Sequence, residues 1–419
     1  GWGNAAKVTN SLERNINSSE INCNIYGGGN KGKVETKAKT TITTSHITDN
    51  IYGGGNEAEV QTTEVNIKQN TNIDKNIYGG GNLGTVLGEA NTVIENSNIT
   101  NSVFGGGNAA EVQGDANVTI HNSIIDEAIY GGGNGEYSIV PGDEIGDQNP
   151  AKVLGNTNLL VDENTKVKTI YGGGNLGKVN KDTKIEIKNI TVTDSIYGGG
   201  NAAIVGENTN LYVSNVNVTN SIYAGGNGLL AVVYGNTNLD IDNNTVVGKH
   251  VFGGGNAAAT GTEENNNSKG IVNIVGATIN GNVYGGANTS QLYGDTTVNI
   301  GNLTSSNQNL IKSDIVIEGT VFGGGEANAS GSEEYDYSFI SVTVGIKINI
   351  NGSGHDTFTI KGSIFGSGNA SSTTGYSYID IKNYGTKEDI KKNISIQRAN
   401  IVTLDNSYIE LKGATDRTN

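Results

Sequence analysis

A chain of 419 residues with a net charge of −15, two prolines, one cysteine and no methionine excludes several classes of protein at once. Its only arginines are Arg14, Arg398 and Arg417, so the body of the chain has neither the forks that grip phosphate nor the basic face that DNA and RNA binding needs, and an acidic surface opposes anionic membranes. The lone Cys23 leaves no disulfide framework or cysteine metal site, and no apolar stretch is long enough to insert into a membrane.

The first residues, Gly1-Trp2-Gly3-Asn4-Ala5-Ala6-Lys7-Val8, read like the tail of a unit that returns as Gly105-Gly106-Gly107-Asn108-Ala109-Ala110-Glu111-Val112. Residues 1–24 are therefore expected to be a partial first rung, cut from a longer exported protein. From Ile25 onward the phrase Ile-Tyr-Gly-Gly-Gly-Asn dominates. Its aromatic falls at Tyr26, Tyr52, Tyr78, Phe104, Tyr130, Tyr171, Tyr197, Tyr223, Phe252, Tyr284, Phe322 and Phe365. Six of the intervals are 26 residues, and the others are 41, 29, 32, 38 and 43. Of the 63 glycines, 33 sit in these triplets, so they are positional and not a sign of disorder. A fixed period of this size means a repeat array in which each unit buries its core only against its neighbours.

Within one unit, the β-branched residue before the aromatic is taken as position 0. Position 7 is Ala or Gly, position 9 is mostly Val (Val86, Val112, Val205), and position 13 is Ala or Thr. Positions 15 and 17 form an apolar pair (Val118/Ile120, Ile185/Ile187, Leu211/Val213), and position 22 is Ile or Val. This is period-2 alternation rich in Val, Ile and Thr, broken by Gly and Asn, with no helical stripe. It predicts about three short strands per unit. Stacked in parallel, the units make an all-β fold: a right-handed parallel β-helix, or β-solenoid, of about 26 residues per rung and 12 or more rungs, spanning residues 1–369. Positions 0, 7, 9, 15, 17 and 22 are predicted to point inward.

The glycine triplet reads as a backbone device, allowing positive φ and close approach at a bend, rather than a phosphate cradle, which needs a helix start and a basic residue. Position 5 is Asn at 30, 56, 82, 108, 134, 175, 201, 227, 256, 288 and 369, with Glu326 as the exception. Asn30, Asn56, Asn82, Asn108, Asn134, Asn175, Asn201, Asn227, Asn256, Asn288 and Asn369 are predicted to form a hydrogen-bonded ladder along the axis. The aromatic column has two readings: an outward face that could stack on sugar rings, or a packed column. Phe at four of the twelve positions favours packing, because the hydroxyl is dispensable there.

Further along, the period breaks. Insertions at 135–150, 260–270 and 330–340 enter at a similar point after the Asn and are expected to leave the same edge. The first carries Asp143, Glu144 and Asp147, oxygen ligands of the kind Ca²⁺ takes, although no calcium-loop spacing is present and solvated charge is the simpler reading. The last carries Glu333, Glu334, Tyr335, Asp336 and Tyr337, where aromatic and carboxylate together suit a sugar's face and hydroxyls. A fourth insertion, near 305–315, leaves a different edge. Asp240 and Asp242 share one strand face and are the best carboxylate pair for a glycoside-cleaving site, against the simpler reading of two exposed acids. His46, His121, His250 and His355 fall in different rungs at different positions and form no metal or triad constellation. After Ala370 the repeat fades, so residues 370–419 are expected to be degenerate final rungs or a cap.

The phrase Ile-Tyr-Gly-Gly-Gly-Asn-x-Ala-x-Val followed by Thr-x-Leu-x-Val resembles the Gly-Gly-Gly-Asn repeat regions of large bacterial cell-surface, adhesin-like proteins with a pectin-lyase-like β-helix architecture. The resemblance covers about residues 25–370. It implies an extracellular, cell-surface, non-catalytic stalk or adhesin, without a cofactor, whose partner is a host or microbial glycan or surface protein. A polysaccharide-degrading enzyme on the same scaffold is the alternative.

Overall fold

A computed structural model describes residues 6–135, 150–301, 310–327, 340–388, 391–394 and 396–411. The fold is a right-handed parallel β-helix of about 26 residues per rung and about 14 rungs. No described residue lies in a helix long and apolar enough to cross a membrane. The chain divides into two compact units, residues 1–211 with 226–233, and residues 212–225 with 234–419.

In the first unit, one rung shows how the sequence makes the fold. Ile77–Tyr78 is a short strand. The glycine corner follows, and Val86 makes a single parallel bridge to Val60 on one side and Val112 on the other. Ala90–Glu95 is a longer strand with alternate residues buried. Asn96 then turns the chain with φ of +49°, and Asn98–Ile99 is a second short strand. Each segment pairs in parallel with its counterpart one period on: Ala90 with Ala116, Asn98 with Ile124, Ile77 with Val103. β-Branched side chains suit this pleated, one-side-buried surface. Ile77, Val86, Ile94 and Ile99 are buried in the rung interior.

Position 13 also points inward, which the predicted inward set omitted: Ala38, Ala90, Ala116, Thr157, Thr183 and Thr209 are all buried. Its threonines serve the glycine corner opposite. Thr63 donates its hydroxyl to the Gly79 carbonyl at 2.6 Å, Thr157 to Gly172 at 2.6 Å and Thr183 to Gly198 at 2.7 Å. The corner carbonyls thus find a partner across a narrow interior. Thr63 itself faces Ala90 although it sits one residue early in the period. The missing residue is restored at the next turn, where Gln69 and Asn70 both have positive φ in place of the single Asn96.

Of the two uses expected of the triplet glycines, positive φ and close approach of neighbouring rungs, the structure shows the second. No described one has positive φ; the positive-φ glycines are Gly135, Gly228, Gly261, Gly294, Gly301, Gly354 and Gly385. What the triplets require is space. A Cβ on Gly106 would lie 2.7 Å from the Gly133 nitrogen and 2.8 Å from its Cα. The left-handed turn is instead made by Asn, at Asn96, Asn122 and Asn189, whose short polar side chain tolerates that conformation.

The second unit repeats the plan with strands Thr237–Asp242, Ser268–Ile274, Gly294–Gly301, Gly345–Asn351, Ser377–Lys382 and Ile401–Asp405, paired in that order. The strand Ile401–Asp405 is exposed on both faces.

Candidate functional site

The side chains that recur on every rung are engaged with one another. In the first unit each position-5 Asn donates Nδ2 to the Oδ1 of the Asn before it, from Asn56 to Asn30 at 2.8 Å through Asn227 to Asn201 at 2.8 Å. The intermediate links are 2.8–3.0 Å long. In the second unit Asn288 donates to Asn256 at 2.7 Å, and Asn369 to the Glu326 carboxylate at 3.4 Å. Further ladders escaped the sequence reading. Asn117 donates to Asn91 at 2.9 Å and Asn158 to Asn117 at 2.7 Å on the long strands, and Asn122 to Asn96 at 2.7 Å at the left-handed turn. Their signal was present, as Asn recurring at positions 14 and 19.

The aromatic column is packed, not an open sugar platform. Ring centroids from Tyr26 to Tyr197 are 4.7–5.0 Å apart with planes within 9°. A second run from Tyr223 to Phe365 has spacings of 4.6–5.1 Å. These match the strand spacing of a parallel sheet, so each ring sits on the ring of the next rung. Tyr78 is 4% exposed and Tyr284 fully buried. Asn side chains reach the hydroxyls of several of these rings. Asn282 donates to the Tyr284 hydroxyl at 2.9 Å, and Asn227 bonds the Tyr171 hydroxyl. Burial pushes the Tyr52 and Tyr130 phenols up to about 12, and raises those of Tyr78, Tyr171 and Tyr284 as well.

The histidines are less isolated than their sequence positions indicated. His121 Nδ1 meets Asp162, which faces it in register on the next rung, and His46 Nε2 lies 2.9 Å from Asp74. The insertion between the rungs hid the first pair by stretching its separation to 41 residues. Glu163 stands beside His121 and Asp162, and the three could offer ligand atoms to a cation. The pair is only partly buried and is accounted for as a hydrogen bond between stacked rungs.

Asp240 and Asp242 are not two exposed acids. Asp240 is half-buried and accepts from Asn273 Nδ2 at 2.7 Å. Asp242 is fully buried. Its Oδ2 accepts from the Tyr212 hydroxyl at 3.0 Å and from the Ile311 backbone N–H at 2.7 Å, while Oδ1 has no hydrogen-bond partner. Residues 310–314, the end of the fourth insertion, form a strap over this turn. The Asn243 N–H donates to the Ile311 carbonyl and the Asn244 N–H to the Ser313 hydroxyl. His355, from a later rung, bonds the Ser313 carbonyl at 2.8 Å.

Of the insertions, 260–270 is a compact turn closed by reciprocal backbone bonds between Thr262 and Asn265. Asp143, Glu144 and Asp147 lie outside the described residues, as do Glu333, Glu334, Tyr335, Asp336 and Tyr337.

A cavity of about 470 Å³ opens where the repeat fades. Ile396–Gln397 pairs with Ile364–Phe365, and Ile401–Asp405 with Tyr378–Lys382. Between these paired strands the earlier rung spends residues 366–377, whereas the later one spends only 398–400. Among the described residues this later rung therefore lacks the corner that the earlier one has. Ser367, Ser371, Thr373, Ser377, Arg398 and Asn400 line the opening. Arg398 makes the short cut with φ of +52°. Ser377 ties it in place, donating its hydroxyl to the Arg398 carbonyl at 3.1 Å and its N–H to Asn400 Oδ1 at 2.8 Å.

No protein family, curated protein or solved structure matches the chain.

Proposed function

We propose that this chain is a non-catalytic β-solenoid of a bacterial cell surface, an adhesin-like or structural scaffold that presents loops from its edge to a glycan or protein partner. The observation that carries this reading is that the repeated polar and aromatic side chains are consumed in joining rung to rung. The Asn ladders bond to themselves, and the rings stack face to face under cover. Recognition is then left to the places where the period breaks. The insertion loops, with Asp143, Glu144 and Asp147 in one and Glu333, Glu334, Tyr335, Asp336 and Tyr337 in another, supply carboxylates and aromatics there. No resident cofactor belongs to this reading; Ca²⁺ at the acidic loop would make binding calcium-dependent.

The competing reading is polysaccharide cleavage at Asp240 and Asp242. The unpartnered, buried Oδ1 of Asp242 is the observation in its favour. Against it, a glycosidase pair must face the substrate together, and Asp242 is closed beneath the strap. The test of the scaffold reading is binding of the 419-residue chain to a broad glycan array, with Ca²⁺ and with chelator. Discrete, saturable hits support it, and dependence on Ca²⁺ assigns the acidic loop. A blank array removes the adhesin half and leaves a stalk.

A further inference from the structure

We infer that Asn280 is a site of self-modification, the one Asn-Gly amide among the described residues that the fold leaves free to deamidate. The chain holds four Asn-Gly pairs, at 134–135, 227–228, 280–281 and 351–352. Glycine after Asn matters because, without a Cβ, its backbone can bring the nitrogen onto the Asn side chain. The step is intramolecular. The Gly281 nitrogen attacks Asn280 Cγ and gives up its proton, the side-chain nitrogen leaves as ammonia, and a cyclic imide forms. Water then opens either imide carbonyl, leaving aspartate at 280 or its isomer linked through the side-chain carboxyl. Nothing is oxidised or reduced.

The other three pairs are held. Asn134 donates Nδ2 to Asn108 at 2.9 Å and accepts from Asn175 at 3.0 Å, and the Gly135 N–H is spent on the Asn108 carbonyl at 2.7 Å. Asn227 donates to Asn201 at 2.8 Å and bonds the Tyr171 hydroxyl. Asn351 Oδ1 accepts from the Ser353 N–H and from Asn383 Nδ2, both at 3.1 Å. The Gly352 N–H donates to the Lys382 carbonyl at 3.0 Å. To react, each must first give up bonds that the fold has made.

Asn280 is different. It is exposed, at the bend that follows the strand Ala277–Ile279. Its own N–H donates to the Val247 carbonyl at 2.9 Å, but among the described residues neither its side chain nor the Gly281 N–H has a hydrogen-bond partner. The rungs on both sides are described here. Ile279 pairs with Val247 and Ile317, so the residues stacked on Asn280 are Gly248 and Glu318. Gly248 has no side chain to offer, and Glu318 is paired with Lys361 at 2.7 Å. The product bears on the next rung. Aspartate at 280 sets a second carboxylate beside Glu318, and like charges on adjacent strands repel. The isomer lengthens the main chain ahead of Val283, which pairs with Val251 and Val321.

The experiment incubates the 419-residue chain at physiological temperature and neutral pH, folded and in urea. Peptide mass mapping follows the four Asn-Gly sites, and enzymatic methylation of isoaspartate counts the isomer. In the folded chain Asn280 should convert at least about tenfold faster than Asn134, Asn227 and Asn351, whose bonds must open first. In urea, where those bonds are gone, the four rates should converge to within about threefold. Conversion of Asn280 no faster than the other three in the folded chain overturns the assignment. If Asn280 leads by the same margin in urea, the selectivity is one of local sequence and the structural assignment falls. Asn280→Asp supplies the product's charge and should speed exchange of the Glu318 amide, which donates to the Ile279 carbonyl at 2.9 Å. Asn280→Ser should leave that amide unchanged. Equal exchange in the two variants overturns the effect on the next rung.

Discussion

Gly106 gives the sharpest test of why the triplets exist. Its backbone φ is accessible to alanine, so a Gly106→Ala cost is purely one of space. The added Cβ would lie 2.7 Å from the Gly133 nitrogen, 2.8 Å from the Gly133 Cα and 3.0 Å from the Gly132 carbonyl carbon. All three are backbone atoms of the next rung, and carbon contacts settle at about 3.5–4.0 Å, so that rung must retreat by roughly 1 Å. The retreat strains the bond from the Gly106 N–H to the Gly132 carbonyl, now 3.1 Å. Overpacking costs about 1–3 kcal/mol and a weakened backbone bond about 1 more, giving about 3 kcal/mol in all. Gly228→Ala is the control. Its Cβ meets only the Asn201 carbonyl at 3.4 Å, but its φ is +91°. That substitution costs about 1–2 kcal/mol through the backbone alone. Asn at 228 should recover part of this loss, whereas Asn at 106 should be worse than Ala. Stacked repeats open locally, so the assay is hydrogen exchange of the amides at 105–107 and 131–133, beside urea unfolding. Unchanged protection there, with a stability within about 0.5 kcal/mol of the parent, would refute the close-approach argument.

The phenols of Tyr52 and Tyr130 titrate near 12 in the fold because burial disfavours the phenolate. A pKa raised by folding contributes stability that is complete below the ordinary value near 10 and is lost as pH rises through 12. Alkaline unfolding should therefore fall in that window, with the tyrosinate band appearing cooperatively with loss of the far-ultraviolet β signal; gradual ionisation of a chain that stays folded would contradict it. Asn108→Ala breaks two ladder links, to Asn82 and from Asn134, and should cost about 1–3 kcal/mol in urea unfolding. Glu326→Asn restores the ladder residue and should be neutral or stabilising, and a clear loss would show that Glu326 does something the ladder does not. Asp242→Ala removes the acceptor of the Tyr212 hydroxyl bond and of the Ile311 N–H bond. Exchange at the Ile311 amide should accelerate selectively, with a stability loss of about 1–3 kcal/mol, and an unchanged Ile311 amide would dismiss the strap's anchor.

The period, the parallel coil and most of its inward residues were legible because burial on one side of a strand writes itself as period-2 alternation. Position 13 was missed because Ala and Thr carry little apolar signal, and their inward direction shows only when the Thr hydroxyl is seen to cap a glycine carbonyl. The aromatic column could not be oriented from sequence, since position 0 and the ring after it are both covered, one by the interior and the other by its own stack. For the triplet glycines the sequence offered two uses, positive φ and close approach, and only the second is realised, because a sequence does not say which of the two a glycine serves. Asn96 and its equivalents hold the left-handed turn instead. The His121–Asp162 pair and the burial of Asp242 depend on insertions whose path no local pattern encodes. The cavity at Arg398 could not be read at all, because it is made by the absence of a corner that residues 398–400 cut short.

The central functional claim is binding without turnover, and it is tested by incubating the chain with each glycan it retains and measuring new reducing or unsaturated ends alongside equilibrium binding. Saturable binding with no new ends, in the parent and in Asp240→Asn and Asp242→Asn alike, is the predicted result. New ends that vanish when Asp240 or Asp242 is neutralised would contradict it and make the solenoid an enzyme.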